Sequence, residues 1–280
     1  MKSISVLFIF LCAASFKAVS QCSDAGVCAI GKISSPLQHR VGISYNFGRS
    51  VKADDLTFHS VNLQATLRVL EDANIIASIP WSRQSGPLGN TSGIGDLSVF
   101  WSQQVWTDGV ANISVELGGK VATGNDNAGG LPQAYQSGLG TNDLLAGVSY
   151  AQEPFNAAVG YQFSRGRSDN SVTLLRRGDD FFLRAGYSGE LEEFPYSFEA
   201  LAIKRVSESS VLDSVSPGNT FVNVPGSDQF QVNLLGKLLW PLDASKEVQL
   251  VAAVPVLQRK VNVDGLTRGF TVSLSLSFSL

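Results

Sequence analysis

The sequence predicts an all-β protein, an up-and-down transmembrane β-barrel of about twelve antiparallel strands. Three observations predict it. The chain ends in FTVSLSLSFSL, in which apolar residues alternate with serine or threonine for eleven positions. Eleven earlier segments carry the same two-residue period, which puts one set of side chains on each face of a strand. The links between segments alternate between short turns and long polar loops, the asymmetry of outer-membrane barrels, whose turns lie in the periplasm and whose loops lie outside.

Composition agrees. The 280 residues are 44% hydrophobic and 16% charged, with 27 glycines and one methionine, and beyond the N-terminus no apolar run is long enough for a membrane helix. Residues 1–20 read as a secretory signal, with Lys2 at its start, ISVLFIFLCAA as its apolar middle and Ala18-Val19-Ser20 as the cleavage site. Its removal takes away Lys2 and Lys17 and no acid, so the formal net charge goes from −3 to −5. That balance excludes nucleic acid as a partner. Cys12 leaves with the signal, whereas Cys22 and Cys28 remain in an exported chain as a disulfide candidate. Gln21 stands where a lipid-modified cysteine needs a small residue, so a lipoprotein is not expected. The organisation is then signal (1–20), N-terminal segment (21–37) and barrel (38–280).

The strands follow in order. Val41, Ile43, Tyr45 and Phe47 alternate with Gly42, Ser44 and Asn46, and Val61, Leu63, Ala65, Leu67 and Val69 with Asn62, Gln64, Thr66 and Arg68. The third carries Ala77, Ile79 and Trp81, the fourth Leu97, Val99, Trp101 and Val105, and the fifth Ala111, Ile113, Val115 and Leu117. Leu144 to Tyr150, Phe155 to Phe163, Phe181 to Tyr187 and Tyr196 to Ala202 give the next four at every second position. Phe230 to Trp240 and Val248 to Val256 precede the closing strand, whose Phe270, Val272, Leu274, Leu276, Phe278 and Leu280 form one apolar face.

After the even strands the links are EDAN, TDG, QEP, GELEEFP and PLDASK, three to seven residues each, and after the odd strands they run from about nine to twenty-four. One alternating strand also suits a soluble sheet, but this series over an even strand number calls for a closed barrel, because only closure leaves no unpaired edge in lipid. Aromatics fall at strand ends, as interfacial rings should. Trp106, Tyr150, Phe155, Tyr187, Tyr196, Trp240 and Phe278 would form the periplasmic girdle, and Tyr45, Phe47, Trp81, Phe163, Phe181, Phe230 and Phe270 the outer one. The outer membrane of a Gram-negative bacterium is the expected location, with outer-membrane lipid as the first partner.

Catalytic machinery is not expected. His59 and Ser60 are adjacent on a strand and so face opposite ways, and His39 shares the outward parity of Val41, which leaves no general base in the lumen and no metal site. No cofactor is implied. Reading hairpin register from Val105 opposite Ala111 places Asp96 opposite Lys120, and from Tyr187 opposite Tyr196 places Arg184 opposite Glu199, two lumen charge pairs. Arg68, Glu116 and Lys237 share the inward parity. These charges form either a structural lattice or a solute filter. An apolar inner stripe of Leu201, Ile203, Leu235, Leu239, Val251, Ala253, Pro255 and Leu257 is unlike an aqueous pore, so either an apolar solute or residues 21–37, acting as a plug, should cover it.

The stretch GGKVATGNDNAGGLPQAYQSGLGTNDLLAGVSY (118–150), with TSGIGDLSVFW (91–101), resembles outer-membrane proteins associated with phenol meta-cleavage pathways, barrels like FadL in shape. The matching positions are Thr123, Gly124, Asn125, Gly138, Gly140 and Asp143, while Asn142 departs from the family's small residue. The resemblance implies passage of small, often apolar compounds. The expectation is a conduit for a small-molecule solute, the alternative a structural or adhesive barrel whose long outer loops bind a partner.

Overall fold

The computed structural model describes residues 38–50, 55–213, 220–264 and 267–280. The signal, the segment 21–37 and Cys22 and Cys28 lie outside the described residues.

Twelve strands form the barrel: β1 (Arg40–Ser50), β2 (Thr57–Leu70), β3 (Ala73–Gly86), β5 (Leu97–Thr107), β6 (Ala111–Val121), β7 (Asn142–Gln152), β8 (Phe155–Arg165), β9 (Asp180–Leu191), β10 (Phe194–Arg205), β13 (Phe230–Asp243), β14 (Lys246–Leu257) and β15 (Arg268–Ser279). Each pairs antiparallel with the next, and β1 pairs with β15 from Arg40–Ser279 to Arg49–Phe270, which closes the ring. Closure gives the strands' backbone N–H and C=O groups partners that lipid cannot supply. Leu63, Leu144, Phe155, Phe198 and Leu274 point outward and are each more than half exposed, whereas the neighbouring inward residues Leu145 and Glu199 are buried. Rings meet in both girdles, Phe155 with Tyr187 at 5.6 Å on the periplasmic side and Phe47 with Phe270 at 5.7 Å on the outer side.

The strands run further than their apolar cores. Residues 71–72, 153–154, 192–193 and 244–245 are all that separate the paired strands at four periplasmic turns. At the fifth, Ala111 N and Val110 N donate to Asp108 Oδ1 at 2.7 and 2.9 Å, and these N–H groups hold the Asp108 carboxyl below its ordinary range. On the outer side only residues 51–56 separate β1 from β2, fewer than nine, because β2 begins at Thr57.

Three further short strands stand in segments that read as loops. β4 (Gly89–Ile94) pairs with the outer half of β3, from Trp81–Ile94 to Gly86–Gly89, while β5 takes the inner half from Ala73–Gln103 to Ser78–Ser98. β11 (Ser210–Leu212) and β12 (Phe221–Asn223) form a separate hairpin in the β10–β13 loop. β4 carries glycine at two of its six positions, and β11 and β12 span only three residues each, too short for a period to show.

Two hairpin registers differ from the sequence reading by two residues. Ser98 faces Lys120 across β5 and β6, and a bulge beyond Gln104 shifts the pairing to Trp106–Ile113. Tyr196 faces Gly189, so Arg184 lies opposite Leu201 and Glu199 opposite Gly186. The second shift arises because GELEEFP is mostly strand, with a two-residue turn in which Glu192 takes a positive φ of 58°.

The core sits inside the barrel. Ile76, Phe100, Leu145, Phe182, Leu201, Ile203, Leu235 and Ala253 form one buried apolar cluster. Two of its rings lie over glycines of adjacent strands: a Cβ on Gly118 would fall 2.1 Å from Phe100 Cδ1, and one on Gly160 2.3 Å from Phe182 Cζ. Close ring-over-backbone packing therefore requires glycine there.

Candidate functional site

The lumen is the candidate site, and inward parity decides what lines it. Along β9 the inward residues run Asp180, Phe182, Arg184; along β10 they run Arg205, Ile203, Leu201, Glu199. Each strand thus contributes an outer charge, an apolar middle and a deeper charge.

In the deeper layer Arg184 Nη1 lies 3.3 Å from Glu199 Oε2, and Lys237 Nζ lies 3.4 Å from Glu199 Oε1. Both contacts are diagonal, within reach of long side chains although neither cation faces Glu199 directly. Nearby, Ser149 Oγ donates to Glu116 Oε1 at 2.9 Å. Arg68 is different: Nε and Nη2 donate to the carbonyls of Leu70 and Glu71 at 3.2 and 3.0 Å, which ties it to its own turn.

At the outer mouth Lys120 Nζ lies 3.2 Å from both Asp96 Oδ2 and Asp143 Oδ2. Asp96 also accepts Gly124 N at 3.1 Å and Leu139 N at 2.9 Å, which draws the β6–β7 loop inward. Arg177 reaches Asp143 at 3.3 Å, Asp180 at 3.1 Å and Asp264 at 3.1 Å. Arg205 reaches Asp180 at 3.1 Å and Asp264 at 2.9 Å, and Arg259 reaches Asp180 at 3.1 Å. Four cations and four carboxylates, all buried, form a formally neutral cluster. Burial opposes ionisation of Asp264, but Arg177, Arg205 and Arg259 outweigh it and hold its carboxyl far below the ordinary carboxylate range.

This cluster joins outer loops that are also tied by direct bonds. Asn170 Nδ2 donates to Asp126 O at 2.8 Å and Leu131 O at 2.9 Å, linking the β8–β9 and β6–β7 loops. Arg176 N donates to Ser210 O and Gly178 N to Ser209 Oγ, linking the β8–β9 and β10–β13 loops. Tyr135, on the β6–β7 loop, packs on Leu56 and Phe58 at the start of β2.

The apolar stripe lies between the two charged layers. Leu201, Ile203, Leu235 and Ala253 are buried within the cluster that includes Phe100, Leu145 and Phe182, three inward residues the sequence reading did not single out. Pro255 is buried, and Leu239 and Val251 are half-buried. Leu257 is 46% exposed: β13 pairs Val232 with Leu257 and Asn233 with Pro255, so an extra residue at Val256 breaks the alternation before Leu257.

The opposite wall is lined differently. On β15, β1, β2 and β3 the inward positions at mid-height include Ser273, Ser275, Ser277, Ser44, Asn46, Ser60, Asn62 and Ser78, short polar side chains that are all half-buried, while Phe58 toward the outer mouth and Ile76 toward the periplasmic end are buried. Asn46 Nδ2 donates to Ser60 Oγ at 3.1 Å. At the periplasmic end Arg40 Nη1 pairs with Glu247 Oε1 at 2.5 Å, inside the barrel. Sequence reading missed Arg40 and Glu247, although each has the parity of its strand's inward residues. It also missed Asp180 and Arg205, at strand ends, and Arg177, Arg259 and Asp264, in loops where no parity exists.

The histidines lie away from this lining. His59 faces outward, with Nδ1 2.6 Å from Tyr45 Oη, and His39 Nδ1 accepts Arg68 N at 3.3 Å.

No protein-family model and no curated protein matches the sequence. Among solved structures the chain is similar to an outer membrane channel from Pseudomonas putida F1, with a TM-score of 0.68 and 13% identity over 88% of this chain and 97% of that one. It is also similar to the NanC porin, with a TM-score of 0.50 and 10% identity over 86% of this chain and 100% of that one. Likeness at such low identity shows the fold, and the fold is that of the twelve-stranded outer-membrane barrels of Gram-negative bacteria.

Proposed function

We propose that the barrel is a conduit for small molecules and that the path follows the β15–β1–β2–β3 side of the lumen. The observation that supports this reading is the asymmetry of the lining. The wall from β5 round to β14, with Ile76 of β3 at its edge, carries packed apolar residues and closed ion pairs, whereas the β15–β1–β2–β3 side carries half-buried serines and asparagines at mid-height. Hydroxyls and amides both donate and accept, so such a wall exchanges hydrogen bonds with a passing solute at little cost. The ion pairs act as a lattice that holds the packed side together. The resemblance to proteins associated with phenol meta-cleavage pathways favours small, often apolar compounds, and this wall favours those that also carry a hydrogen-bonding group. Residues 21–37 act as a plug in the resting lumen, and a solute displaces them.

Conductance in planar bilayers tests the reading. Ser44 faces Ser275 across the β1–β15 seam. Ser44→Trp and Ser275→Trp should each lower conductance in correctly inserted barrels, and Ala158→Trp on the packed side should not be inserted correctly at all. Wild-type conductance in both seam variants would reject this path. A closed, silent wild-type barrel would favour the alternative, a structural or adhesive role for the outer loops.

A further inference from the structure

We propose that the outward face of β1, β2 and β3, at the outer rim, binds the phosphate of a phosphorylated glycolipid of the outer leaflet, with Arg83 and His59 as its donors. This site does not depend on what the lumen passes.

Among the described residues, four cations stand on the outward face at the outer ends of barrel strands: Arg49, Arg83, Arg165 and Lys204. Three have a carboxylate. Arg49 lies 2.6 Å from Asp55, Arg165 2.8 Å from Asp179 and Lys204 3.6 Å from Asp228. Arg83 is exposed and, among the described residues, has neither a carboxylate nor another hydrogen-bond partner. A guanidinium at the hydrocarbon edge needs a counter-ion, and its planar fork matches a phosphate.

A second donor stands beside it. His59 is the direct cross-strand neighbour of Arg83, so the two share a face. Tyr45 Oη lies 2.6 Å from His59 Nδ1, and Phe47 packs on the same ring at 5.2 Å. With the tyrosine O–H donating to Nδ1, a neutral imidazole carries its proton at Nε2 and offers it to a ligand. Ser92 faces Arg83 from β4 on the other side.

The surface below this pair completes a lipid-shaped sequence. Trp81 and Tyr45 are each close to half exposed one step toward the membrane, and Leu63 and Ile79 follow. Acyl chains would lie on the aliphatic residues, the sugar on the aromatic rings and the phosphate at Arg83 and His59.

The test uses the full mature chain in detergent, with heat-modifiable migration as the folding control and native mass spectrometry as the readout. The probes are bis-phosphorylated lipid A, the same lipid with its phosphates removed, and inorganic phosphate. Lipid A should bind, the dephosphorylated lipid should bind about tenfold more weakly, and inorganic phosphate should neither bind nor compete. Arg83→Gln should weaken lipid A binding about tenfold, Arg83→Lys less, and His59→Phe by an intermediate factor, while Arg165→Gln leaves it unchanged. Equal binding of the two lipids, or wild-type binding by folded Arg83→Gln, would overturn the site. Competition by inorganic phosphate at the same concentration would overturn its assignment to a lipid.

Discussion

Arg184 and Glu199 form an ion pair at 3.3 Å although neither stands opposite the other in the β9–β10 ladder. The pair crosses on a diagonal, and Lys237 reaches the same carboxylate from β13 at 3.4 Å. Glu199 therefore neutralises cations on two neighbouring strands. Glu199→Gln should take that carboxylate from both and destabilise the barrel by up to about 3–5 kcal/mol. Adding Arg184→Gln should restore much of that loss. Strictly additive losses in a double-mutant cycle, measured by denaturant unfolding in detergent, would rule out the coupling.

The closing strand tests the orientation of the whole barrel. Leu274 faces outward and is more than half exposed, whereas Ser275 faces the lumen. Leu274→Arg should cost roughly 2–4 kcal/mol at mid-membrane and reduce the folded, heat-modifiable band, and Ser275→Arg should be milder. Equal effects at the two positions would contradict the outward face.

The glycine beneath Phe100 gives a third test. Gly118→Ala should destabilise by about 1–3 kcal/mol, because its new methyl group meets the ring. Phe100→Leu in the same chain should recover part of the loss. No recovery would mean that the strain lies elsewhere.

Acid tests the outer ionic cluster. Because the Asp264 carboxyl is held below its ordinary value in the intact cluster, the opened cluster binds more protons than the closed one, so falling pH favours parting of the loops it joins. Asp264's contribution is fully present above the ordinary carboxylate pKa of about 3.9 and declines only below it. Wild-type conductance should hold from neutral pH to about pH 4 and rise under stronger acid. Asp264→Asn should raise it already at neutral pH and flatten the acid step. An unchanged conductance in Asp264→Asn would separate the cluster from gating.

Deleting residues 21–35 should raise conductance without unfolding the barrel, since no barrel strand residue is removed. Unchanged conductance in correctly inserted protein would reject the plug.

Much of the fold was legible because a two-residue period survives any error in turn length. Leu274 and Ser275 are assigned to opposite faces by parity alone. Register is not protected in this way: counting GELEEFP as loop moved every β9–β10 partner by two, which kept Arg184 and Glu199 on the inner face but mispaired them. The outer cluster was least legible. Asp180 and Arg205 carry strand parity, but Arg177, Arg259 and Asp264 meet through loop geometry that no local pattern encodes.

The β1–β15 seam joins Arg40 to Ser279, nearly the full length of the barrel domain apart in sequence. Every other ladder in the ring joins barrel strands that are successive along the chain, and can zip from the turn or loop between them. The seam alone has no local nucleus, so its loop-closure entropy is the largest of the ladders and it should be the last to form. Until it does, β1 and β15 both present bare edges. Leu280 N donates to His39 O at 2.9 Å, so the final residue of the chain fastens the first described stretch of the barrel. A barrel whose β1–β15 ladder failed to form would therefore have eleven ladders made and an open edge that lipid cannot satisfy.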